Sequence, residues 1–84
     1  MTHTANEVAK LIEDLFRVSV APENFECALT GEKIRLSAID LFYLVSAIEK
    51  KYEIRIPENA FISRKFNSVI GISEIVCAEK EKQQ

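Results

Sequence analysis

Apolar residues recur with helical spacing along much of this chain. Thr4 and Glu7 stand in capping-box spacing, and Val8, Leu11, Ile12, Leu15 and Phe16 then fall at i, i+3, i+4, i+7 and i+8. The pattern predicts an amphipathic helix over about Ala5 to Arg17. From Val18 to Leu36 the periodicity disappears. Pro22 and Gly31 interrupt that stretch, while Val20, Phe25, Leu29 and Ile34 are spaced to pin a long loop to a core. Ser37 and Asp40 repeat the cap-plus-acid pattern, so a second helix is expected to start at about Ala38. At 100° steps Leu41, Leu44, Val45, Ile48 and Tyr52 share one sector, and Ile39, Phe42, Tyr43, Ser46 and Lys50 share the opposite one. The alternation Ile54, Arg55, Ile56 leads into Pro57, which suits the start of a short third helix reaching about Phe61. Asn67 or Ser68 then caps a last helix whose stripe is Val69, Ile72, Ile75 and Val76, weakened in propensity by Gly71. Glu79 to Gln84 reads as a low-complexity, disordered tail. The predicted fold is therefore all-α, a single small bundle of three main helices plus one short helix, with a long first loop.

Composition narrows the function. The chain has 84 residues, 48% of them hydrophobic, which is enough for one core and no second domain. A chain of this size hides only roughly 60 to 65% of its unfolded surface on folding, so a deep catalytic cavity would leave little core, and no enzymatic turnover is expected. Thirteen acidic against eleven basic residues give a net charge of −2, without the basic excess that phosphate backbones require. Cys27 and Cys77 form neither a CxxC pair nor a disulfide framework, which fits a reducing, cytoplasmic setting. Residues 1–7 lack the pattern of a signal peptide, and the longest apolar run, Leu41 to Ile48, is too short to span a bilayer.

Candidate chemistry is sparse. The lone histidine, His3, offers no metal site and no nucleophile relay. Cys77 falls on or beside the last helix's stripe and reads as a small core residue, while Cys27 has Glu23 and Glu26 nearby to disfavour a thiolate. Gly31 and Gly71 are isolated, so there is no phosphate-cradling loop. The basic pairs Lys33/Arg35, Lys50/Lys51 and Arg64/Lys65 read as solvated faces. A helical nucleic-acid-binding regulator is the remote alternative. The loop before the second helix is too long for a helix-turn-helix, and Ile, Phe and Tyr stand where a recognition helix needs Arg, Asn or Gln.

In the second helix, Leu44-Val45-Ser46-Ala47-Ile48-Glu49 is followed by Tyr52 and by Ile56-Pro57, and Asn67-Ser68-Val69 opens the last helix. This order resembles the acyl carrier protein family over about Ala5 to Val76. In that family an Asp-Ser-Leu motif opens the second helix, a Leu-Val-x-Ala-Leu-Glu pattern runs to an aromatic and an Ile-Pro, and Thr-Thr-Val begins the last helix. The attachment motif departs from the family. Ala38 occupies the position of the serine that carries 4′-phosphopantetheine, Ser37 that of the preceding aspartate, and Lys33-Ile34-Arg35 replaces Asp-Leu-Gly. The lack of a clean motif resembles the divergent acyl-carrier-related proteins found with peptide-maturation systems.

Two readings of Ser37 follow. In one, it takes over the attachment of 4′-phosphopantetheine one residue early, where a phosphodiester would meet the helix's exposed N–H groups. In the other, it is the N-cap of an unmodified domain. The resemblance implies that pathway enzymes, or a maturation partner protein, dock on the outer face of the second helix. Carried over residue by residue, that face is Ile39, Asp40, Phe42, Tyr43, Ser46, Glu49 and Lys50. The residues point to the same surface, because Ile39, Phe42 and Tyr43 lie outside the core sector. The alternative is that the long loop covers them, with Phe25 or Leu29 as counterparts. The expected protein is thus an acyl-carrier-like monomer that presents an acyl or peptidyl intermediate, or itself, to biosynthetic enzymes, with no nucleic acid or membrane as partner.

Overall fold

The computed structural model describes residues 2–62 and 65–82. Four helices follow one another: α1 (Thr2–Phe16), α2 (Ala38–Tyr52), α3 (Glu58–Ile62) and α4 (Val69–Lys82), with a single 3-10 turn at Pro22–Asn24 in the long first connection. Three are substantial and one is short, and no strand occurs among the described residues. This is the all-α bundle the periodicity predicted.

α1 packs chiefly on α4 and more lightly on α2. Its contribution to the core is Ala5, Val8 and Ile12, whereas Leu15, assigned to the same stripe, is 41% exposed. The helix also begins earlier than the spacing of Thr4 and Glu7 implied. Because α1 starts at Thr2, Thr4 lies inside it and no capping box forms there. Thr4 Oγ1 instead accepts the Cys77 thiol at 3.8 Å, and Glu7 reaches across to Tyr52, whose hydroxyl donates to Glu7 Oε1 at 2.8 Å. Arg17, with φ 58°, turns the chain out of the helix in the left-handed region while its N–H still reaches the Glu13 carbonyl at 2.8 Å.

The long first connection is ordered by its own side chains. Val20, Phe25, Leu29, Ile34 and Leu36 are all buried, which offsets the backbone entropy that so long a loop would otherwise retain. Backbone hydrogen bonds tie it to the start of α4. The Leu29 N–H donates to the Asn67 carbonyl at 3.0 Å, and the Ile70 N–H to the Phe25 carbonyl at 3.0 Å. Asn67 completes the join with its amide, accepting the Thr30 N–H at 3.3 Å and donating to Thr30 Oγ1 at 3.1 Å. Ser68 is left as the cap of α4, its Oγ accepting the Gly71 N–H at 2.9 Å.

Gly71 has a tertiary reason to be glycine. A Cβ built there would overlap the Lys65 carbonyl oxygen and stand 2.9 Å from its carbon, so the α3–α4 connection can cross α4 only where there is no side chain. The expected stripe Val69, Ile72, Ile75 and Val76 is buried, and so is Phe66, which no periodicity had marked. α4 continues through Lys82, across most of the segment read as a tail, and a Lys82–Glu79 ion pair of 3.0 Å lies along its last turn. Gln83 and Gln84 lie outside the described residues.

Candidate functional site

α2 starts where the sequence placed it. Ser37 is its N-cap, extended at φ −89° and ψ 169°, and both halves of the capping box are made. Ser37 Oγ accepts the Asp40 N–H at 3.1 Å, and Asp40 Oδ2 accepts the Ser37 N–H at 3.0 Å. The Ser37 oxygen therefore faces solvent but already serves a backbone donor. The Asp40 carboxylate already supplies the anion that the positive end of the helix dipole favours. Ala38, at the family's attachment position, is exposed and has only a methyl group.

Two opposed faces leave this helix. Leu44 and Ile48 are completely buried, with Leu41, Val45 and Tyr52 partly buried beside them. On the other side Ile39 is 73% exposed, Phe42 70% and Tyr43 68%. The loop does not cover them, because Phe25 and Leu29, the proposed counterparts, are buried in the core and bonded to the start of α4. Ser46 and Lys50 extend the exposed face toward the helix C-terminus.

Glu49, grouped with this face by resemblance, does something different. Its Oε2 accepts the Ile56 N–H at 2.8 Å, and its carbonyl accepts the N–H groups of Glu53 and Ile54. It holds the chain as it leaves α2 and enters the Ile54–Ile56 segment, whose two isoleucines are buried. Of the two carboxylates assigned to the outer face, both are therefore bound to backbone N–H groups.

Elsewhere the chemistry is modest. Glu7 lies among Tyr52, His3 at 3.1 Å and Lys51, and its carboxyl is held below the usual range, first by the Tyr52 hydroxyl hydrogen bond. Burial, then the bond to Glu7, pushes the Tyr52 hydroxyl well above its ordinary value. This pair joins α1 to the end of α2, and the only hint of it in the sequence was Tyr52 on the core sector. Cys27 and Cys77 are free and half-buried. Among the described residues no group of three side chains could hold a metal ion, and no helix is long and apolar enough to cross a membrane. An apolar concavity of about 390 Å³ lies between α3 and α4, lined by Pro57, Ala60, Ile75 and Ala78 with Lys65 and Glu79 at its edge. It includes none of the expected site residues.

No protein-family model, curated protein or solved structure matches this chain. The acyl-carrier resemblance thus rests on the residues quoted for it, and what the geometry adds is the exposure of three large apolar side chains on a capped helix.

Proposed function

We propose that this protein is a non-enzymatic, acyl-carrier-like docking module of the cytoplasm. As a monomer it presents itself, or an acyl or peptidyl intermediate, to enzymes of a biosynthetic pathway through the outer face of α2, without a standard phosphopantetheine serine. The observation that carries this reading is the exposure of Ile39, Phe42 and Tyr43 on one face of a helix whose other face is locked into the core. A rigid, capped helix presents these side chains at little cost in ordering. Burying all three would yield roughly 4 to 8 kcal/mol before the cost of association, which is about the same size. Such a face suits a contact that forms and releases rather than a permanent one.

Ser37 supports the unmodified reading. A phosphodiester on its oxygen would weaken the acceptor that Asp40's N–H uses, a cap worth about 1 kcal/mol. It would also set a second anion beside the Asp40 carboxylate at the one helix end. The second reading, a true carrier with 4′-phosphopantetheine on Ser37, is favoured by the exposure of that hydroxyl at the mouth of α2. Intact mass after incubation with coenzyme A and a broad-specificity phosphopantetheinyl transferase separates the two. No mass gain is expected across several transferases. A gain of one prosthetic group, abolished in Ser37→Ala, would make the protein a carrier instead.

A further inference from the structure

We draw no further inference here: the strongest candidate, the exposed apolar face of α2 at Ile39, Phe42 and Tyr43, belongs to the site already described, and nothing in the structure shows what covers it.

Discussion

α2 and α4 are nearly the same length, 15 and 14 residues, yet they use their apolar residues in opposite ways. In α4 every residue from Val69 to Val76 is buried or partly buried, including Gly71 and Ser73, whose hydroxyl donates to the Ile70 carbonyl at 2.8 Å. In α2 only Leu44 and Ile48 are fully buried, and three large apolar side chains face outward. The difference is positional. α4 packs on α1, and its N-terminal end is held by the long loop through Phe25 and Leu29 and crossed by the Lys65 backbone. α2 is touched on one side only. A helix enclosed in this way sets stability, whereas the free side of a peripheral helix can vary for binding with little effect on the fold.

The sharpest way to break that contrast is a pair of substitutions. Ile72→Ala, at a site with no exposure, should cost about 2 to 5 kcal/mol in denaturant unfolding. Ile39→Asp should stay within about 0.5 kcal/mol of the parent. Comparable losses at the two sites would mean that the outer face of α2 is structural after all. Next in size is Gly71→Ala. Helix propensity alone predicts a gain of about 1 kcal/mol, but overlap with the Lys65 carbonyl cannot be relieved by rotating a side chain. A net loss of about 1 to 3 kcal/mol is therefore expected, read as a lower melting temperature, and a net gain would show that the connection passes α4 elsewhere.

The smallest effect belongs to the Glu7–Tyr52 pair, which fastens the one engaged side of α2. Tyr52→Phe should cost about 1 kcal/mol near neutral pH. The pH dependence has two limbs. Glu7 is depressed in the folded state, so its contribution is present above the unfolded carboxyl value near 4.5 and lost as the pH falls through the folded one. Tyr52 is raised, so its contribution is present below its unfolded value of 10 and lost as the pH rises from there. The Phe variant should flatten both limbs, and parallel curves for the two proteins would show that the bond adds nothing.

The elements that the sequence made legible are those whose cause is local. Ser37 and Asp40 are three residues apart, and their reciprocal bonds form wherever that segment becomes helical, so the start of α2 was readable to the residue. Thr4 and Glu7 have the same spacing and form no cap, because the helix starts before them and Glu7 has a distant partner in Tyr52. Asn67 is a comparable case. As a cap candidate it was equivalent to Ser68, and only the approach of Thr30 from the loop gave it another role. The resemblance alone groups Glu49 with the outer face of α2, but the chain beyond α2 folds back to offer it the Ile56 N–H.

The sequence by itself determined that this chain is one all-α bundle, which residues of α2 face inward, and that Ala38 offers no hydroxyl at the expected attachment position. Periodicity, capping and side-chain identity act within a turn or two, and they need no knowledge of the rest of the chain. Tertiary structure alone decided that the long loop closes over α4 rather than α2, that Gly71 is a crossing point, and that Ile39, Phe42 and Tyr43 stay in contact with water. Those outcomes depend on which surfaces compete for the same apolar cover. That competition is settled by packing among residues far apart in the chain.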